Sequence, residues 1–187
     1  MVSVIHGKKH ALGQGFETIG HSNVPRTSFS IKDHERIDVP GILMEPKPDD
    51  GVISTGPGLQ RIKTEHFIQS RPAIANELRN LPLPVSFSEN IYLVHALQRD
   101  TRLDVVYDGR HLGSKAIRSF FEEHSPLLKL HGHIHESPSM SGSWFDYVGK
   151  TLCVNPGHSG SGLHAVAMDV NDLSGSLVHA VYGRASR

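Results

Sequence analysis

The stretch Leu128-Lys129-Leu130-His131-Gly132-His133-Ile134-His135-Glu136 decides how the rest of the chain is interpreted. A short apolar run is followed by three histidines at alternate positions. Side chains alternate between faces in extended backbone, so His133 and His135 are expected to project together from the end of a strand. Gly132 would allow a tight turn or the close approach of an ion. Two neutral imidazoles supply half of a metal site, although such histidines also occur on surfaces and in hydrogen-bonded cores.

The composition indicates one soluble domain of 187 residues. The 19 basic residues balance 19 acidic ones, which gives no electrostatic argument for binding nucleic acid or an anionic membrane. No apolar run is long enough to span a bilayer, and the first residues lack the pattern of a signal peptide. Cys153 is the single cysteine, so an internal disulfide is excluded and a cytoplasmic location is expected. The 14 histidines make metal chemistry easier to accept.

The first third of the chain alternates between short strands and irregular sequence. Strands are predicted at Val2–Ile5 and Phe16–Ile19, separated by the turn-rich segment Gly7–Gly13. Residues 20–60 are rich in Pro, Gly, Asp and Lys and predict a long, mostly irregular loop region within the domain. A loop of this length in a compact domain is either functional or mobile. Its charged part, Ile31–Asp38, is interpreted as a solvated turn, with a lid over a phosphate-sized site as the alternative.

The remainder predicts alternating strands and helices, followed by strands without helices. A helix is predicted over Pro72–Leu81, a buried strand at Ile91–Val94 that ends at His95, and a second helix capped by Ser114. The next strand, Leu127–Leu130, carries the histidines, and a loop rich in Ser, Pro and Gly follows it. Four further strands are predicted, at Trp144–Val148, Thr151–Val154, Leu163–Val170 and Ser176–Tyr182.

Several of these features occur together in one known family. Residues 112–136, with a helix that leads through a proline into a strand and a GHxH motif, resemble the end of a calcineurin-like metallophosphoesterase. Val94-His95-Ala96 resembles that family's lone-histidine ligand, and Val154–Gly157 resembles its Asn-Pro-Gly turn. The resemblance implies an α/β fold over residues 1–187, built as a two-sheet β-sandwich flanked by helices. It also implies hydrolysis of a phosphate ester by hydroxide activated on divalent metal ions such as Mn, Fe or Zn.

The same resemblance assigns candidate site residues. His95, His133 and His135 match metal ligands, with His133 beside His95 on one ion and His135 on the other. Further residues are candidates for lining a phosphate site, each with a plainer alternative. Asn155 is also a turn former before proline, and His158 also a surface histidine. The two others are His131, whose role is open, and Ser114, which is also a helix cap.

The acidic motifs of the family have no counterpart in this chain. No Asp is followed two residues later by His, and neither a Gly-Asp nor a Gly-Asn pair occurs. The chain is therefore expected to be an N-terminally truncated domain that holds one ion or none and turns over little substrate alone. Open sheet edges then predict self-association or a complementing N-terminal segment. The alternative function is a non-catalytic scaffold of the same lineage that binds a partner.

Overall fold

The computed structural model describes residues 3–42 and 50–185 and shows a mixed α/β protein with several sheets and few helices. Its strands are β1 Lys9–Gly13, β2 Phe16–His21, β3 Val24–Pro25, β4 Glu35–Arg36, β5 Asp50–Thr55, β6 Gly58–Lys63, β7 Asn90–Val94, β8 Leu128–Leu130, β9 Phe145–Val148, β10 Thr151–Val154, β11 Val166–Ala167, β12 Val178–His179 and β13 Gly183–Arg184. Its helices are α1 Thr64–Gln69, α2 Ile74–Arg79, α3 Lys115–His124, α4 Ser137–Ser141 and α5 Leu173–Ser176, with a 3-10 turn at Phe87–Glu89.

The main sheet has six strands in the order β1-β2-β7-β8-β10-β9. The four central strands, β2, β7, β8 and β10, are mutually parallel, while β1 and β9 pair antiparallel at the two sides. All four parallel strands therefore end at the same edge of the sheet. In open parallel sheets this carboxyl edge is where ligand sites form.

Both faces of the main sheet are covered, which explains the unbroken apolar runs in its strands. Ile19, Tyr92 and Cys153 belong to a core cluster that includes the buried side chains of α2 and α3. Their neighbours Leu128 and Leu152 belong to a second cluster on the other face, together with residues of the 166–185 segment. That segment contains the three-stranded sheet β11-β12-β13.

The N-terminal strands differ from the sequence prediction. The first strand lies at Lys9–Gly13, inside the segment predicted as turns, and pairs with β2 as a hairpin. The turn has positive φ at Gly13, Gln14 and Gly15, which two glycines make sterically accessible. Residues 3–5 form no strand, and Val2, the first residue of the predicted Val2–Ile5 strand, lies outside the described ranges.

The loop region 20–60 is more regular than predicted. It contains the short parallel pair β3-β4 and most of the β5-β6 hairpin, while residues 43–49 lie outside the described ranges. The stretch 137–142, rich in Ser, Pro and Gly, was predicted to be a loop, and this prediction is wrong because α4 forms there. Pro138 lies in the first turn of α4, and Gly142 follows its end with a φ of 71°. Within the described ranges, no helix is both long and apolar enough to cross a membrane.

Candidate functional site

Two of the predicted metal ligands meet at the carboxyl edge of the sheet. His95 directly follows β7, and His133 lies on the loop after β8, with a ring-centroid separation of 5.0 Å and an interplanar angle of 65°. Backbone hydrogen bonds fix this junction, because the amide of His95 donates to the carbonyl of His21 at 2.9 Å. The amide of Gly132 donates to the carbonyl of His95 at 3.4 Å. We call His95 and His133 the histidine pair.

The backbone reaches this arrangement by a route that side-chain alternation did not predict. The strand β8 ends at Leu130, and the next residues leave the sheet. His133 has a φ of 70°, in the left-handed region, whereas Gly132 does not have positive φ. The unusual backbone conformation is therefore at His133, one residue after Gly132, where the sequence predicted a tight turn. A left-handed histidine is strained, and such strain tends to be kept at functional sites.

His135 lies near the pair but outside direct ring contact with it. Its exposed ring packs edge-on against His158, with centroids 6.1 Å apart, and the amide of His158 donates to the carbonyl of His135 at 3.0 Å. The structure thus joins His95 to His133, and His135 to His158. His135 still contributes to lowering the pKa of both members of the pair, so the imidazoles share one electrostatic environment.

The environment of the pair favours neutral imidazole. Burial, followed by the nearby His95 and His135, lowers the pKa of His133 from 6.5 to about 4. Burial, followed by His135 and His34, also lowers the pKa of His95. Both rings are therefore uncharged at neutral pH. An uncharged imidazole has the nitrogen lone pair that a metal ligand needs.

The donor set fits one ion better than two. Among the residues that the structure describes, no group of three or more His, Cys, Asp or Glu side chains stands ready to hold a metal ion. The pair supplies two nitrogen donors, which would suit one ion with its other positions open to water or substrate. A bridging carboxylate, which a pair of close cations requires to offset their repulsion, is not among the described side chains at this place.

Two of the other candidates have structural roles, and a third is a surface histidine. The buried Asn155 accepts a hydrogen bond from the amide of Gly157 at 3.0 Å and donates to the carbonyl of Ile134 at 2.9 Å, as expected of a turn former. Ser114 caps α3 by accepting from the amide of Ile117, and its hydroxyl donates to Asp38. The predicted phosphate role of Ser114 would require displacing that carboxylate. His158 is exposed beside His135, as stated above.

His131 lies apart from the pair's ring contact and is buried. Neither of its ring nitrogens has a hydrogen-bond partner within the described part of the chain. Burial is the main cause that lowers its pKa well below 6.5. His131 lines a cavity of about 360 Å³ together with His6, His21 and His95. Its role as a site residue stays a prediction.

Sequence reasoning did not identify Glu77, a carboxylate that binds His21 at the end of β2. Glu77 of α2 accepts from Nε2 of His21 at 2.8 Å, from Nδ2 of Asn23 at 2.9 Å and from Nε of Arg36 at 3.2 Å. The oxygen of Asn23 in turn bonds Nδ1 of His34 at 3.2 Å. Polar residues directly after the apolar strand β2 were the available signal. Their common partner, about 55 residues further along the chain, was not visible in any local pattern.

Glu77→Gln is expected to lower the free energy of unfolding by about 2–3 kcal/mol, because a half-buried carboxylate with several charged or polar donors is replaced by a neutral amide. Urea denaturation at pH 7 measures the change. Glu122→Gln is the matched control, since Glu122 makes only an exposed pair with Arg118 worth a few tenths of a kcal/mol. Equal losses for both variants would show that Glu77 does not organise this region.

A second cavity opens beside the pair. It measures about 560 Å³, and His133, Ile134 and Glu136 form one of its walls. The ring of Phe29, which also lines it, meets His133 edge-on with centroids 6.5 Å apart. Residues of the 25–29 and 106–115 segments also line it, as do Asp38, Val39, Ile42 and Arg99. A ligand in this cavity would therefore have direct access to His133.

Comparisons with known proteins leave the lineage open. No family model and no curated protein matches the chain. One solved structure is similar with a TM-score of 0.44 and 18% sequence identity, covering 83% of this chain. The chain spans 46% of the length of that structure. At this TM-score and identity, the likeness supports no argument about function.

Proposed function

We propose that this chain is a metal-dependent phosphoesterase-type hydrolase that holds one divalent cation at the histidine pair. The observation that carries the proposal is the 5.0 Å contact of His95 and His133, two neutral imidazoles delivered by neighbouring parallel strands to the carboxyl edge of the sheet. His135 is the third candidate ligand. The motif resemblance of residues 112–136 and 154–157 supports the reaction class.

We propose for the fold the two-sheet arrangement that the resemblance implies. In support, the face of the main sheet that carries Leu128 and Leu152 packs against the segment 166–185, which contains the second, smaller sheet. The α2 and α3 helices cover the opposite face. Self-association through open sheet edges, a complementing segment and a cytoplasmic location stay predictions.

The chain's own residues would share the work as follows. The pair would supply two nitrogen donors to the ion, and the left-handed backbone at His133, together with the hydrogen bond from Gly132 to His95, would restrict the movement of the two rings. The 560 Å³ cavity would admit a phosphate ester from the side of His133. A bound divalent ion supplies charge to offset that on phosphoryl oxygens and lowers the pKa of a bound water.

The rival function is a non-catalytic scaffold. It is favoured by one observation: no carboxylate joins the pair among the described residues, so a bridged two-ion centre lacks its anionic ligand. The two functions predict different behaviour when the pair is altered, which makes one experiment decisive.

Hydrolysis of bis(p-nitrophenyl) phosphate and p-nitrophenyl phosphate with added Mn²⁺ tests the proposal, alongside equilibrium Mn²⁺ binding. Wild type is expected to show slow, metal-stimulated turnover, and His133→Ala is expected to lose it with about 100-fold weaker Mn²⁺ binding, because half of the donor pair is removed. His10→Ala, at an exposed position of β1, should match wild type. No metal-stimulated turnover, with Mn²⁺ binding equal in wild type and His133→Ala, would instead support the scaffold.

A further inference from the structure

Two strongly exposed aromatic rings line the cavity beside the histidine pair. The side chain of Phe29 is 65% exposed and that of Tyr107 is 79% exposed, yet both belong to the lining of the 560 Å³ cavity. The edge-on contact of Phe29 with His133 ties this lining to the candidate metal site. Exposed aromatic rings in a concave site are available to stack on a planar ligand group.

The rest of the lining combines apolar surface with positive charge. Ile42 and Leu112 add apolar groups that are 48% and 36% exposed. Lys115 and Arg99 place cationic groups in the same lining. The carboxylate of Asp38 is already occupied by the amides of Lys115 and Ala116, at 2.8 and 3.4 Å. The amide donors leave Asp38 charged, and the whole lining holds four cationic side chains against three carboxylates: Arg26, Arg99, Arg110 and Lys115 against Asp38, Asp108 and Glu136. This formal excess of one positive charge, beside an apolar and aromatic wall, suits a ligand that is anionic at one end and flat at the other.

Another carboxylate of the lining is also engaged. Asp108 accepts from the guanidinium of Arg110 at 2.8 Å, so neither group adds net charge. Glu136 is the further acid of this wall. The cavity volume lies within the range of small-molecule sites, about 300–1,000 Å³. These dimensions accommodate a nucleotide-sized molecule.

We propose that this cavity binds the phosphate ester of a planar aromatic ring, with nucleotide dimensions. Its ring would stack on Phe29 and Tyr107, and its phosphate would lie toward His133 and Lys115. This inference rests on the proposed function, because it names the substrate class of the same site. Stacking on an aromatic side chain is tolerant of ring identity, so a nucleoside monophosphate and an aryl phosphate share the required chemistry.

Calorimetric titration of the full chain with AMP, ribose 5-phosphate and phenyl phosphate, each with Mn²⁺ present, tests the inference. AMP is expected to bind at least 10-fold more tightly than ribose 5-phosphate, which has the same phosphate but no ring. Phenyl phosphate distinguishes the two ligand classes. Binding as tight as that of AMP indicates that the site takes aryl phosphates, and weaker binding indicates that it takes nucleotides. Phe29→Ala and Tyr107→Ala are each expected to weaken AMP binding by about 5- to 100-fold.

Tyr147→Ala is the matched control, because Tyr147 is 51% exposed on β9 and does not line the cavity. All three replaced rings are exposed, so thermal melting should show intact folding. Equal affinities for AMP and ribose 5-phosphate, or wild-type affinity in both Phe29→Ala and Tyr107→Ala, would overturn the inference. Metal-stimulated hydrolysis that persists alongside that result would leave the proposed function standing. A ring preference without any metal-stimulated hydrolysis would remove the proposed function instead.

Discussion

Lowering the pH from 7 to 5 is expected to reduce the free energy of unfolding by about 2–4 kcal/mol. The cause is a set of histidines whose burial lowers their pKa. Burial lowers the pKa of His133 to about 4 and that of His131 well below 6.5, and it also lowers the pKa values of His95 and His6. In the unfolded chain these side chains accept protons near pH 6.5. Between the folded and unfolded pKa values the unfolded state therefore binds more protons, and acid favours it by up to about 1.4 kcal/mol per pH unit for each histidine.

Urea denaturation at pH 5, 6, 7 and 8 measures this dependence. His131→Leu is expected to flatten the slope, because one buried titrating group is removed and its unpartnered ring nitrogens disappear. His10→Ala should keep the wild-type slope, since His10 is exposed on β1. A wild-type stability that is level between pH 5 and 7 would show that these imidazoles are hydrated or paired in solution.

Replacing Lys129 by methionine is expected to raise the free energy of unfolding at pH 7 by roughly 1–3 kcal/mol. Lys129 is fully buried in β8, and burial lowers its pKa from 10.5 to about 7. That shift corresponds to a destabilisation on the order of 4–5 kcal/mol. The lost hydrogen bonds from Nζ to Gln98 Oε1 at 2.6 Å and to the Ala96 carbonyl at 3.1 Å offset part of the gain. The stem of methionine fills a similar space.

The pH dependence separates this cause from a simple packing gain. From pH 7 to 8.5 the folded lysine loses its proton while the unfolded lysine keeps it, so wild-type stability is expected to rise by about 1–2 kcal/mol. Lys129→Met should lack the rise. Lys150→Met, at an exposed position, is the control variant, and its stability should rise between pH 7 and 8.5 as that of wild type does. Burial raises the pKa of the Cys153 thiol to about 12, so above pH 9 the unfolded chain loses this proton first and stability falls as pH rises. The measurement therefore stops at pH 8.5. A rise in Lys129→Met equal to wild type would contradict the assignment.

Much of the scaffold was predictable from local patterns. The strands at Phe16–Ile19, Ile91–Val94, Leu127–Leu130 and Thr151–Val154 all occur, with ends that match the prediction or differ from it by at most two residues. Short apolar runs in this chain are buried on both faces of a parallel sheet, and burial is what hydrophobic patterns report. The helix after Ser114 was predictable for a similar reason, because its cap and its apolar stripe are both local.

Short elements with weak patterns were not predictable. The hairpin β1-β2 forms around a turn where glycine supplies positive φ, and no alternating apolar pattern marks β1, which is exposed along its whole length. The two-residue strands β11 and β12 occupy only part of the predicted strands Leu163–Val170 and Ser176–Tyr182, and the four-residue helix α5 forms between them. Segments this short depend on their neighbours more than on their own propensity.

The sequence by itself determined which segments are buried and which strand ends are followed by histidine, because both properties belong to residues adjacent in the chain. Only the tertiary structure decided that His95 and His133 touch, that His135 turns toward His158, and that Lys129 lies in the core. The physical reason is strand order. Side chains 38 positions apart meet because β7 and β8 pair in parallel, and that pairing depends on long-range packing and not on local periodicity.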